Sequence, residues 1–406
     1  MTRSLPSAAP EEVGLSTRQL ERISAALRRE VEERRVPGAT ALVARRGKIA
    51  YFEAFGVRDP AVAQPMAKDA IFRIYSMTKP IVSVAAMMLF EEGRFLLSDP
   101  LAKYIPDFAG AKVGIDGRLE LVPAARDIAI QDIFSHTSGL TYGFRGNSAV
   151  QKLYQELGAQ MRGKSAAEFV AALAKLPLMY QPGSRWEYSH ATDVLGRLVE
   201  IWSGMSLGDF LRQRIFKPLD MSDTGFHLPE PQLARLAQPF PRDPDTGAPV
   251  ELLDMRQKPA FESGGGGLAS TTLDYARFSQ MLLAQGTLDG ERILGRKTLE
   301  YMTADHLNGL PGTFDLLVPG YGFGLGFTVR LHTGVASTPG SIGQYSWGGI
   351  AGTTFWVDPA EQLYAVMMIQ APHARVYMRA LFRDMVYAAI DDERDLTPRR
   401  GAASRG

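Results

Sequence analysis

One S-x-x-K tetrad occurs in the sequence, Ser76-Met77-Thr78-Lys79. A serine and a lysine three residues apart at the start of a helix share one face, with Cβ atoms about 5–6 Å apart. The helix N-terminus adds positive potential and unpaired N–H groups beside the hydroxyl. An amine desolvated in such a place gives up its proton more readily than in water, and it can then take the serine proton. The chemistry this spacing points to is nucleophilic acyl transfer. Cysteine is absent, which excludes a thiolate nucleophile, disulfides and Cys-ligated metals. Pro80 follows Lys79 directly. It lacks an N–H, which a first helical turn tolerates, but it biases Lys79 away from helical geometry. The competing reading is a Ser76 cap beside an exposed Lys79.

Such a pair needs partners from elsewhere in the chain. Tyr188-Ser189-His190 follows Pro182-Gly183 and precedes a helical pattern near Val194, so a loop tyrosine there can enter a cleft. Trp347-Gly348-Gly349 sits on a strand pattern and is followed by Ile350-Ala351-Gly352. Paired glycines let a substrate approach the strand backbone closely. A backbone N–H there can join that of Ser76 in an oxyanion hole, where one donor is worth about 10²–10³ in rate.

Two other motifs match by letter only. Gly158 to Ser165 fits the phosphate-loop pattern G-x-x-x-x-G-K-S. That loop needs a preceding strand, whereas Val150, Leu153, Tyr154 and Leu157 recur at helical spacing. Gly204-Met205-Ser206-Leu207-Gly208 fits G-x-S-x-G but lies between two helical patterns, without the strand that a nucleophile elbow requires. Ser206 therefore reads as a cap or loop residue. The six histidines are scattered, and no H-E-x-x-H spacing suggests a metal. His136 reads as structural; His190 reads as orienting Tyr188 or contacting substrate.

The elements that must position these groups follow from periodicity. Ser16 to Gln19 reads as a capping box, with Leu20, Ile23, Leu27 and Val31 at helical spacing up to Pro37-Gly38. Residues 39–46 and 49–55 flank Gly47-Lys48 as a hairpin. Residues 81–90 are apolar all round, the mark of a buried helix. From about 89 to 235 helical patterns dominate. Residues 321–330, 344–347, 352–357 and 363–369 then read as strands, with a turn at Asp358-Pro359. Tyr377, Leu381, Met385 and Ala388 mark a last amphipathic helix, and the basic tail from Arg394 reads as mobile. The expected fold class is α/β (α+β): an antiparallel sheet flanked by helices, made from both chain ends. The expected division is 1–73 with 263–406 as a discontinuous sheet domain and 74–262 as a mainly helical domain, with the active site in the cleft between them.

At these residues the chain resembles the serine β-lactamase/penicillin-binding-protein superfamily, and most of all the family VIII carboxylesterases, relatives of class C β-lactamases. Ser135-His136-Thr137-Ser138-Gly139-Leu140 and the run from Gly265 to Thr271 belong to the same likeness, which extends from about Leu15 to Asp391. The resemblance implies that Ser76 is the acylated nucleophile, Lys79 its base and Tyr188 the proton relay. It implies oxyanion donors at the Ser76 and Ile350 N–H groups, and substrate contacts at Trp347, Gly348, Gly349 and His190. Two departures stand out. His190 replaces the Asn two residues after the tyrosine in class C enzymes, and Trp347-Gly348-Gly349 replaces Lys-Thr-Gly. The indole carries neither charge nor hydroxyl for a substrate carboxylate, which favours neutral esters over penicillins.

The 406 residues carry 45 Lys+Arg against 44 Asp+Glu, a net +1. No field advertises nucleic acid or anionic lipid. The apolar runs are too short to span a bilayer, and residues 1–14 have no apolar signal core. The expectation is a cytoplasmic serine carboxylesterase for small or short-chain esters, needing no cofactor or metal, with no nucleic-acid or membrane partner. A β-lactamase, D-amino-acid peptidase, amide hydrolase or acyltransferase stays open on the same fold. A non-catalytic sensor module and a nucleotide-binding protein are the readings from other classes.

Overall fold

The computed structural model describes residues 4–160, 163–312 and 316–392; the basic tail expected to be mobile lies outside them. Ser16 caps helix α1 (Thr17–Glu32), its hydroxyl accepting from the Gln19 N–H at 3.4 Å. Leu20, Ile23 and Leu27 bury one face of it. The chain then forms β1 (Gly38–Arg45) and β2 (Lys48–Asp59). Their turn falls on Arg46-Gly47, one residue before the expected pair, with φ of 52° and 77°. Two left-handed residues give the hairpin twist that matches its strands. After β3 (Gln64–Pro65) and β4 (Ile71–Arg73) comes α2 (Thr78–Glu91), buried from Thr78 to Leu89.

A largely helical stretch follows. The pair β5 (Lys112–Gly114) and β6 (Leu121–Pro123) precedes α3 (Ile130–Phe134), α4 (Ala149–Gln160), α5 (Ala166–Leu173), α6 (Ala191–Ser203), α7 (Leu207–Leu211) and α8 (Glu230–Leu233). The chain returns through β7 (Ala269–Thr271), which pairs with β4, into α9 (Thr272–Leu283). The hairpin β8 (Thr287–Leu288) and β9 (Glu291–Arg292) leads to α10 (Arg296–Met302). Strands β10 (Tyr321–Phe323), β11 (Thr328–Arg330), β12 (Tyr345–Gly348), β13 (Thr354–Asp358) and β14 (Leu363–Ile369) precede α11 (Arg375–Ala388).

Eight strands form one antiparallel sheet in the order β10-β11-β12-β13-β14-β1-β2-β3. Both chain ends thus meet at the β14–β1 pair, where Ala39 faces Ile369 and Arg45 faces Leu363. Strand alternation sends Ala39, Ala41, Val43, Ala365 and Met367 into one core with α1 and α11. It sends Leu42, Ala44, Tyr364, Val366 and Met368 into the other core, with α9 and the helical stretch. Each large apolar side chain fully buried in these cores contributes about 1.5–3 kcal/mol.

The stretch expected as one strand over 321–330 is two. Gly324 and Gly326 turn it back so that Tyr321 pairs with Arg330. Gly326 has φ 101°, and a Cβ at Gly324 would lie 2.2 Å from the Met302 carbonyl. An uninterrupted apolar pattern hides such a bend, because the glycines are needed for backbone geometry and not for burial.

Candidate active site

Ser76 lies in the single 3-10 turn Tyr75–Met77, which runs directly into α2. Tyr75 takes φ 43° to make that turn, unusual for a residue with a side chain. Its hydroxyl is held by the Leu253 N–H at 3.0 Å, and the preceding Ile74 N–H donates to Leu268 O at 3.0 Å. Lys79 and Pro80 are the second and third residues of α2. Lys79 is helical despite Pro80, because a first-turn N–H has no intrahelical acceptor to lose. Lys79 is 1% exposed, so the reading of a solvated lysine beside a cap is excluded.

Two side chains converge on the Ser76 hydroxyl. The Tyr188 O–H donates to Ser76 Oγ at 2.6 Å, and Lys79 Nζ lies 3.3 Å from the same atom. Lys79 Nζ also donates to Tyr142 Oη at 3.1 Å and to Gly265 O at 2.6 Å. With those two protons committed, the third tetrahedral direction of the nitrogen faces Ser76. In a neutral amine that direction is the lone pair, the arrangement a base requires. The Tyr188 ring is packed by His136, Tyr142 and Trp347 at 5.1, 5.3 and 5.3 Å between centroids. Lys79 Nζ stands 4.5 Å from its centroid.

The surrounding polar groups are arranged around this set. Burial holds the Tyr142 hydroxyl well above its ordinary range, aided by Asp193 and Tyr188; Tyr142 stays a neutral phenol. Burial holds His136 well below the ordinary imidazole value. His136 is therefore a neutral ring, bonded to Ser189 Oγ at 3.2 Å, and its carbonyl takes the Glu187 N–H at 2.9 Å. Burial pushes the Asp193 carboxyl up, but the bonds from His190 and Ser263 outweigh it and hold the group below its ordinary range. Asp193 is a buried carboxylate.

The Trp347 to Ile350 segment ends β12 beside the Ser76 turn. Trp347 is 9% exposed, its ring against Tyr188 and, at 5.4 Å, Phe323. The space a Cβ would need at Gly348 is taken by the Arg379 guanidinium, 2.6 Å away, and at Gly349 by the Ile74 carbonyl, 2.3 Å away. The paired glycines thus let the strand end press against the segment leading into Ser76. Arg379 donates to the carbonyls of Gly349 and Thr353, and burial, with Arg375 and Arg383 nearby, lowers it to about 10. Ile350 is half-exposed. Its N–H and that of Ser76 find no acceptor among the described residues.

His190 directly precedes α6. Its Nδ1 faces Asp193 Oδ2 at 2.8 Å and its ring stands edge-on to Tyr142 at 4.2 Å. Ser206 caps α7, accepting from the Asp209 N–H at 3.2 Å. Ser165 caps α5 in a box with Glu168, and Lys164 pairs with that same Glu168 at 3.7 Å. Of the phosphate-loop pattern, residues 161–162 lie outside the described residues. No group of His, Asp and Glu among the described residues could hold a metal, and no described helix is long and apolar enough to cross a membrane.

Tyr142, Asp193, Gly265 and Arg379 escaped the reading of the sequence as site residues. Two of them had a local signal. Asp193 lies three residues after His190, one helical turn on, and Gly265 lies in the Gly264 to Gly267 run. Tyr142 and Arg379 had none.

The beta-lactamase family model matches residues 23–389, and the chain belongs to that family. It is 36% identical over 345 residues to Protein Rv1367c of Mycobacterium tuberculosis, covering 82% of this chain and 85% of the relative. It is 31% identical over 391 residues to Esterase EstB of Burkholderia gladioli, covering 90% and 95%. Among solved structures it is similar to EstCE1, a hydrolase with promiscuous acyltransferase activity, with TM-score 0.77 and 26% identity over 91% of this chain and 99% of that one. The fold is that of the β-lactamases and penicillin-binding proteins.

Proposed function

We propose that this member of the beta-lactamase family is a serine carboxylesterase working through an acyl-Ser76 intermediate. The observation that carries the reading is the convergence of Tyr188 at 2.6 Å and Lys79 at 3.3 Å on one buried-side hydroxyl. Ser76 Oγ attacks the ester carbonyl carbon while its proton passes to Lys79, assisted by Tyr188. The developing oxyanion lies between the N–H groups of Ser76 and Ile350. The C–O bond to the alcohol breaks, and the leaving oxygen takes the proton through Tyr188. Water then attacks the acyl carbonyl, gives its proton back along the same route, and Ser76 is released. The cleft is the one between the sheet and the helical segment 74–262.

A neutral ester fits this cleft better than a β-lactam. Trp347 stands where the family's lysine would meet a substrate carboxylate, and its indole offers neither charge nor hydroxyl to such a group. The similarity to Esterase EstB supports the same choice. Acyl transfer to an alcohol is the second reading, supported by the likeness to EstCE1; it differs only in which nucleophile reaches the acyl-enzyme.

A fluorophosphonate probe tests the nucleophile. Labelling should vanish in Ser76→Ala and persist in Ser206→Ala; the reverse pattern refutes the assignment. A p-nitrophenyl ester series beside nitrocefin tests the substrate class, with faster turnover of nitrocefin than of every ester as the refuting result. Adding an alcohol acceptor and measuring the new ester separates transfer from hydrolysis.

A further inference from the structure

We propose that Asp193 is a positioning residue for Lys79, acting through Gly265, with His190 holding the far side of its carboxylate. The proposal rests on the reading of Lys79 as the base. Asp193 Oδ1 accepts the Ser263 O–H at 2.6 Å and the Gly265 N–H at 2.9 Å, and Oδ2 faces His190 Nδ1 at 2.8 Å. The carbonyl of that same Gly265 accepts from Lys79 at 2.6 Å, the shortest of the lysine's contacts. Gly265 is therefore clamped at both ends, by the carboxylate and by the amine. A Cβ there would lie 2.9 Å from both carboxylate oxygens and from Tyr142 Oη, so a side chain would break the clamp.

Asp193 is in the first turn of α6 and 3% exposed. A buried anion is costly unless paired. Among the described residues, the donors to this carboxylate are His190, Ser263 and Gly265, and none is an N–H of α6 itself. The group is thus spent on the cleft and not on its own helix. Its effect on the base is twofold. Fixing Gly265 fixes one N–H direction of Lys79, and with the Tyr142 bond this turns the remaining direction onto Ser76 Oγ. The negative charge also stabilises the ammonium that forms when Lys79 takes the serine proton. The groups facing Lys79 are the hydroxyls of Ser76 and Tyr142, the Tyr188 ring, the Gly265 carbonyl, the neutral His136 ring and the Asp193 anion with His190 behind it.

The test is the pH profile of kcat and kcat/KM for p-nitrophenyl acetate in the full chain, comparing wild type with Asp193→Asn. The amide keeps the shape and an acceptor for Gly265 but carries no charge. The expected result is a plateau kcat lowered about tenfold or more, KM within about threefold, and an acid limb of kcat/KM moved down by about one pH unit, the scale of one charge acting through an effective dielectric of about 20. An unmoved limb overturns the proposal, whatever the plateau does, because a purely structural aspartate leaves the limb in place. Should Asp193→Asn not fold, His190→Phe reads the same relay. It strips a donor from the carboxylate and is expected to lower kcat with KM unchanged; a raised KM at wild-type kcat makes His190 a substrate contact and overturns the relay. Ser76→Ala runs alongside. Turnover surviving in Ser76→Ala refutes the active-site reading itself, whereas a dead Ser76→Ala with an unmoved Asp193→Asn limb refutes the relay alone.

Discussion

Tyr188→Phe removes one oxygen from the centre of the site and leaves its packing in place. The ring contacts with His136, Tyr142 and Trp347, and the Lys79 amine over the ring face, do not involve the hydroxyl. The stability cost is then that of one hydrogen bond, about 0.5–1.5 kcal/mol. The catalytic cost is far larger. The lost O–H is 2.6 Å from Ser76 Oγ, within reach of the proton that must leave the serine and later return to the alcohol. A positioned acid–base group of this kind supplies about 10²–10⁴ in rate, or about 2.7–5.5 kcal/mol of barrier. Stopped-flow release of p-nitrophenol reads acylation as the burst and deacylation as the steady state, and urea unfolding of the same samples reads stability. Both kinetic phases should fall about 100-fold or more while the unfolding free energy moves by about 1 kcal/mol. A burst within threefold of wild type would show that Lys79, 3.3 Å away, moves the proton unaided, and the role given to Tyr188 would be refuted.

Other substitutions separate the site from its surroundings. Ser206→Ala should cost about 0.5–2 kcal/mol through the lost α7 cap and leave esterase turnover intact; a loss of turnover at wild-type stability contradicts this. Gly349→Ala would put a Cβ 2.3 Å from the Ile74 carbonyl, so it should destabilise by about 1–3 kcal/mol and lower kcat/KM at least about tenfold by displacing the Ile350 N–H, and full activity would remove that N–H from the mechanism. Burial pushes the Asp274 carboxyl up to about 7, against hydrogen bonds from Thr224, the Asp223 N–H and Thr271. Between its ordinary value and about 7 the folded chain holds this proton and the unfolded chain does not. Its contribution to stability is thus full at low pH and falls as pH rises to about 7, by up to about 4 kcal/mol. Asp274→Asn should flatten that slope in denaturant titrations across pH 4–8, and an unchanged slope would place the carboxyl at its ordinary value.

Much of the local structure was legible before any packing was known. The S-x-x-K spacing and the apolar run after it define a helix start with serine and lysine on one side, and a 3-10 turn into α2 is what forms. The helical patterns around Ser206 and Ser165 left no strand for a nucleophile elbow or a phosphate loop, and both serines cap helices. The expected sheet with covering helices forms, and β1 and β14 are buried on both faces. Such features depend on hydrogen bonds and side-chain directions within a few residues, so the order of residue types determines them.

The site's finer wiring depends on segments far apart in the chain. Tyr188 could be placed beside Ser76 only by family resemblance, since spacing within a loop does not say which cleft it enters. Gly348 and Gly349 read as room for a substrate, yet the tertiary structure fills that room with Arg379 from α11 and the Ile74 carbonyl. His190 read as a partner of Tyr188 or substrate, and it faces Asp193. Glycine marks a close approach without naming what approaches, and a polar residue offers hydrogen bonds without naming who accepts them. Residue types and periodicity therefore determined the elements and put Ser76 and Lys79 together at one helix start, whereas only the packing of remote segments decided which groups surround them, because many pairings satisfy the same pattern and one fills the space.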